Sequence, residues 1–429
     1  MVAAVHRGLS RKGQPGARPS FDPCNARALG FWTLIVSTLS AAFEQPWKSP
    51  GAARGTSIVV MRDTRKLAAL IPAWEELVAH ALEPNVFYEH WMLLPALEAY
   101  GGSDVAVVLV STDGDGVGSG AGSLAGLVPL RLTPRFKDLN LSAASLWRHP
   151  HCYLGTPLIR SDCAVECITG LLEWLRRSAH GKLLELPWIS SDGRFRELLL
   201  ERCNKLGLTG WTINRHTRGL WRQASDVAGG PAAAVSGPLR RRLRRKERRL
   251  AERGRVEHVA LRPGDDIGRW IEEFLRVEAS GWKGARGTAL ACTEADRHFF
   301  TQIVTAAFRR GRLLMLGLDY EGEAIARRCA FLAGEGSFAF KTAYDERFAS
   351  YSPGAIVELD SLTQLQGLEG VRWMDSCAAP DSTLINRISN DRKTIETLAI
   401  ASGPLGELVI SGLRLLRWTN RRLHKRVNP

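Results

Sequence analysis

The 429-residue sequence has little of what marks several protein classes. No apolar run reaches the ~20 residues that a membrane-spanning helix needs. Ala28–Phe43 (ALGFWTLIVSTLSAAF) comes nearest, after a basic segment with Arg7, Arg11, Lys12, Arg18 and Arg27. That polarity fits a secretion leader, but the basic segment is long and rich in Pro and Gly. A tail or an over-extended start is the better expectation. The 8 cysteines are too sparse in so long a chain for a disulfide framework. Cys163 and Cys167 lack a second ligand pair for zinc. Buried thiols in a reducing cytoplasm are expected instead. No His-Glu-x-x-His spacing occurs, so no metal is expected. No Gly-x-Ser-x-Gly elbow occurs either, which argues against an α/β-hydrolase nucleophile.

Acidic residues are also in short supply. There are 44 Asp and Glu against 58 Lys and Arg, a net charge of +14. Such a balance favours anionic partners: nucleotide phosphates, nucleic acid, or acidic glycan and lipid surfaces. The excess is concentrated. From Arg240 to Arg255 the chain carries ten Lys or Arg and two Glu in sixteen residues. Leu239, Leu243 and Leu250 add a thin apolar stripe, and Gly254 ends the predicted helix. The run is either a solvated helix face or a contact for a polyanion. Aromatic residues, expected in a binder of single strands, do not interleave with it.

The composition is otherwise that of a globular chain: 45% hydrophobic, 24% charged, and long enough for two to three domains. Residues 1–56 lack periodicity and are expected to be a disordered extension. Residues 57–227 predict strand, helices, hairpin, strand, helix, strand, helix, strand, with the first strand at Ser57–Met61 and the last at Gly210–His216. Residues 228–237 are a linker by composition. Residues 238–403 repeat the order, and 404–429 form a basic terminal helix. The clearest stretch is 312–375. Arg312–Asp319, Ala324–Leu332 and Ser337–Thr342 read as strands separated by Gly- and Glu-rich turns. A helix then opens at Tyr351-Ser352-Pro353-Gly354, with Ser352 as cap and Pro353 in the first turn. Val371–Asp375 returns as a strand.

Strand, turn, strand, turn, strand, helix, strand is the core order of the GNAT acyltransferases. The segment KTAYDERFASYSPG (341–354), behind a basic helix and GEAIA (322–326), resembles the CelD/BcsL-like (BioF2-like) acetyltransferases of that superfamily, relatives of the FemAB aminoacyl ligases. The resemblance spans roughly residues 57–400. It implies an α/β fold, an α+β mixed sheet made of tandem GNAT-like halves. It also implies acyl transfer from acetyl-CoA or another acyl-CoA to an amine or hydroxyl acceptor, on a small molecule or glycan in polysaccharide or envelope biosynthesis. The Gly-rich pyrophosphate loop of common GNATs is missing here. The FemAB relatives, which also lack it, use aminoacyl-tRNA. Both donors therefore stay open, with Arg240–Arg255 as the contact for tRNA. A non-catalytic accessory protein that binds an acidic partner is a third expectation.

Direct attack of an acceptor on a thioester needs a phosphate cradle, an acid for the leaving thiolate and a base for the acceptor. A helix N-terminus supplies the cradle, because its first amides are unpaired and its dipole favours anions. Tyr351, Ser352, Pro353 and Gly354 are placed there, with Arg327 as the strand arginine facing the donor groove. Lys341 and Tyr344 stand at a strand end, Tyr344 as acid. Asp375 is the carboxylate expected to act as base. His149 and His151, on a loop of the first half, are the acceptor-side candidates.

Overall fold

The computed structural model describes residues 47–48, 56–112, 123–134, 141–178, 181–223, 237–380, 382, 385 and 388–412. The stretch Ala28–Phe43, the turn at 113–122 and residues 413–429 lie outside them. Trp47–Lys48 (β1) already pair with Thr56–Met61 (β2), so regular structure starts ahead of Ser57.

Three helices follow: α1 (Thr64–Ala68), α2 (Ile71–Ala79) and α3 (His90–Tyr100). Asp63 starts α1 by accepting from the Arg65 amide at 2.8 Å, and Pro72 forces a fresh start within the first turn of α2. The first half continues with β3 (Val105–Thr112), β4 (Ser123–Thr133), β5 (Ala143–Leu146) and β6 (Leu158–Ile159). Then come α4 (Ala164–Arg177), β7 (Leu183–Ser190), α5 (Arg194–Lys205) and β8 (Thr209–Arg222).

The second half opens with the basic helix α6 (Gly237–Ala251) and β9 (Val256–Ala260). Helices α7 (Ile267–Ala279), α8 (Trp282–Ala285) and α9 (Glu294–Arg309) come next. Strands β10 (Leu313–Tyr320), β11 (Glu323–Ala333) and β12 (Gly336–Tyr344) form the meander read from sequence. Helix α10 (Pro353–Gly367), β13 (Trp373–Asp375) and β14 (Asp391–Ala401) complete it.

All these strands belong to one 14-stranded sheet. Each half contributes an antiparallel meander ending in a parallel pair: β5 with β7 in the first half, β12 with β13 in the second. The halves then exchange strands. β8, made by the first half, lies between β13 and β14 of the second. β14 lies between β7 and β8 of the first. The two sheets are thereby one.

Helices cover both faces. Helices α4 and α5 pack on the first half's strands through Leu171, Leu175, Phe195 and Leu199. Helix α10 packs on β10–β12, and α6 lays Leu239, Leu243 and Leu250 into the same cluster. On the opposite face one core joins α1–α3 to α7 and α9, with Trp74, Trp91, Phe274, Phe299 and Phe300 fully or nearly fully buried. Complete burial of such aromatic rings contributes more than any other single residue type to that core.

Candidate active site

The parallel ladder between β12 and β13 stops at the Phe338–Asp375 pair, while β12 runs on to Tyr344 beside β11. A bulge marks the departure. Cys329 faces Lys341 but Ala330 faces Ala339, so Phe340 is an extra residue on β12. Beyond it β12 pairs with β11 alone, and its end lines a cavity of about 400 Å³. Thr342 and Tyr344 form one wall, Ser352, Gly354 and Glu358 of α10 another, and Arg242 and Leu243 of α6 a third.

Helix α10 opens into this cavity. Ser352 adopts a left-handed backbone (φ 58°), an uncommon state for a residue with a Cβ and one concentrated at functional sites. Its hydroxyl does not cap the helix as expected. It accepts instead from Lys246 Nζ of α6 at 2.8 Å. Pro353 brings no N–H, and the amides of Ala355 and Ile356 close on the Ser352 carbonyl. Gly354 lines the cavity at a helix start that has no side-chain cap. A Cβ on Gly354 would stand 3.0 Å from the Tyr344 ring, so glycine lets the ring lie against the helix start. Below, the Glu358 carboxylate accepts from Thr342 and from Arg328 Nε (2.9 Å). This buried pair fixes α10 to β11 and β12.

Lys341 and Tyr344 do not come together. Three residues apart on a strand, they point to opposite faces. Tyr344 faces α10; Lys341 faces α7, where its ammonium donates to Glu278 Oε1 at 3.3 Å. Lys283 donates to the same oxygen at 2.9 Å, and the Leu290 amide to the other at 2.9 Å. Burial lowers the Lys341 pKa, against the pull of Glu278. Burial raises that of Glu278, but Lys341 and Lys283 outweigh it and hold the carboxyl below its usual range. A small recess of about 30 Å³ opens on this side, lined by Glu278, Lys283 and Trp282, and it shares Thr342 and Tyr344 with the larger cavity. The end of β12 thus separates two openings, one against α10 and one against α7.

Three expectations are corrected. Asp375 is fully buried and lines neither opening, so it does not stand where a base would meet the acceptor. Its Oδ2 accepts from Arg218 at 2.6 Å and lies 3.3 Å from Lys393, and its Oδ1 accepts from the Cys377 amide at 3.0 Å. Burial raises its pKa, but Arg218 and Lys393 dominate and bring it down to about 2. Arg327 does not line the larger cavity. Its guanidinium is spent on Glu273 (2.5 Å) and Asp319 (2.6 Å), under Trp270 on the α7 side. His149 and His151 line neither opening. His149 is buried between Tyr100, Trp147 and Phe299, and burial holds it neutral. His151 bonds Asp296 at 2.9 Å, where Tyr100 also donates at 2.6 Å. Both histidines tie the first half to α9. Among the described residues no group of His, Cys, Asp and Glu is arranged to hold a metal, and no helix is long and apolar enough to cross a membrane.

The corresponding helix of the first half, α4, carries Glu166 in its first turn. A carboxylate there meets the helix dipole itself and repels an anionic ligand. Glu278, Glu358 and Lys246 were not singled out from sequence. Glu278 follows Val277 within an apolar helix face, and a buried Glu in such a place is a signal, since burial needs a partner. Lys246 was one cation among ten.

Residues 238–382 match the family model described as an acetyltransferase (GNAT) domain. This part of the chain is GNAT-like. The match takes in α6, the meander, α10 and β13, so both openings at the end of β12 belong to it. No curated protein matches the chain. Among solved structures the chain is similar to FemX, with 11% identity over 78% of this chain and 98% of that one, at a TM-score of 0.51. It is also similar to a conserved protein of unknown function from Bacteroides thetaiotaomicron, with 11% identity over 78% of this chain and 97% of that one (TM-score 0.48). A tandem GNAT protein from the clavulanic acid biosynthesis pathway has 13% identity over 81% of this chain and 99% of that one (TM-score 0.42). The mixed α/β fold of GNAT type bears out the expected fold class.

Proposed function

We propose that the GNAT-like half transfers an acyl group, most simply acetyl, from acyl-CoA to an amine or hydroxyl acceptor. One observation carries this reading: an open cavity at the N-terminus of α10 meets Tyr344 on one side and a basic helix on the other. The donor phosphate is held by the Gly354 amide, the helix dipole, Lys246 and Arg242. Tyr351 and Pro353 shape the turn that presents them. The pantetheine arm follows the gap between β12 and β13 to the strand end. The acceptor arrives through the recess on the α7 side. Its nitrogen or oxygen attacks the thioester carbon and forms the new bond to carbon. The C–S bond breaks, Tyr344 gives its proton to the departing thiolate, and the proton shed by the acceptor nitrogen or oxygen passes through solvent to the Tyr344 phenolate, which restores the phenol. The Lys341 ammonium, paired with Glu278 on the α7 side of β12, keeps that buried carboxylate charged on the acceptor's side of the strand. The resemblance of residues 57–400 to the CelD/BcsL-like family favours a cytoplasmic reaction on a glycan or envelope precursor.

A second donor, aminoacyl-tRNA, is favoured by one feature. Arg241, Arg242, Arg244, Arg245, Arg248 and Arg249 of α6 are all exposed, more cations than a single nucleotide needs. The fold it shares with FemX agrees with this donor without choosing it. Calorimetry of the full chain against acetyl-CoA and against charged tRNA separates the two. Acetyl-CoA binding that survives ribonuclease, with thiol release on adding an amine panel, supports the first donor. Binding of tRNA alone, steeply weakened by salt, supports the second. Binding of neither, with an acidic polymer bound instead, supports an accessory protein.

A further inference from the structure

Helix α6 forms a wall of the donor cavity, yet its apolar stripe is thin: Leu239, Leu243 and Leu250 are its buried residues. Three leucines over four turns set the depth of the helix against the sheet better than its rotation or its slide. Polar contacts supply what is missing. One is Lys246 to Ser352. The other is a bridge through His258, on the edge strand β9. Its Nδ1 lies 2.7 Å from Asp360 Oδ2 of α10, and its Nε2 lies 2.6 Å from Glu247 Oε1 of α6. Two carboxylates at hydrogen-bond distance from the two ring nitrogens require both nitrogens to donate, so the ring is an imidazolium. The hydrogen bonds to Asp360 and then Glu247 push its pKa up to about 10, and the bridge is fully formed at neutral pH.

We propose that His258 is a positioning residue for the acyl donor. By clamping α6 to α10 from the side remote from the ligand, it sets the place of Arg242 and Lys246 at the cavity mouth. Glu247 follows Lys246 in sequence, so the clamp and the cavity contact share one turn of α6. A single exposed ion pair contributes little to stability; this ring joins two helices at once, and its effect falls on the geometry between them. The inference rests on the donor reading given above.

The test uses the full chain with acetyl-CoA and charged tRNA as probes. His258→Ala frees α6, and the donor Kd rises about 10-fold, the scale of a misplaced binding group. The acceptor KM holds. Amide exchange over Arg241–Arg249 quickens. His258→Arg, whose fork can donate to both carboxylates, restores affinity and slow exchange. Donor affinity that is equal in wild type and His258→Ala overturns the proposal, as does His258→Ala whose loss the Arg variant does not repair. Wild-type protein that binds neither probe overturns the donor reading itself, and that failure is visible before any substitution is made.

Discussion

Arg218 and Asp375 form the most completely buried ion pair among the described residues. Both side chains are wholly removed from solvent, and each holds the other charged. Removing one partner of such a pair leaves a buried charge uncompensated and costs about 3–5 kcal/mol. Asp375→Ala is therefore expected to lower the denaturation midpoint strongly, and urea titration measures it. The sign with pH follows from the depressed pKa of about 2. The stabilisation is complete above the ordinary aspartate range and is lost as pH falls through about 2. In Asp375→Asn the acid limb between those values flattens. Tyr344 gives the opposite pattern, because it takes part in no buried ion pair. Tyr344→Phe is expected to lower kcat by about 10²-fold, the usual worth of a general acid, with the donor Kd unchanged in calorimetry. These residues also show what a sequence does and does not disclose. Ser352 and Gly354 stand out in the sequence because a helix start announces itself through Pro and Gly, and with Tyr344 they line one cavity. The error with Asp375 came from the same source: a carboxylate at a strand end looks alike whether it faces a substrate or a buried arginine 157 positions earlier.

At the level of elements, the meander, α10 and the basic helix were legible with small shifts at their ends. Alternation of apolar residues and the Gly-rich turns fixed them locally. The early end of the β12–β13 ladder and the bulge at Phe340 were not legible, since neither leaves a mark in the pattern of side chains. Nor was the side of the sheet on which Arg327 and Arg328 find their partners, because that depends on helices distant in sequence. Gly354 supplies a test of the helix start. Gly354→Ala puts a methyl 3.0 Å from the Tyr344 ring. The neighbour must give by a few tenths of an ångström, and Tyr344 moves with it. The expected outcome is a rise of about 3–10-fold in donor Kd with little loss of stability, since alanine is otherwise the better helix residue. Calorimetry and thermal melting check the two halves of that statement.

For the whole molecule, the order of elements in each half foretold two similar sheets. That they trade strands could not be read, because strand propensity names no partner. β14 makes its ladders with β7 and β8, and β8 makes its ladders with β13 and β14. Neither sheet is closed by its own half. A chain cut after residue 390 is expected to lose the cooperative melting of the first half as well as the second, and exchange at β7 and β8 amides reports it directly.

The same trade sets a timetable for synthesis. A nascent chain normally lets its leading portion fold while the rest is still being made. Here the slot beside Leu183–Ser190 stays vacant until Asp391–Ala401 has left the ribosome, so the leading portion waits with one edge of β7 and both edges of β8 bare. Chaperone dependence in the cell, and aggregation on stalled translation, are what that wait would bring.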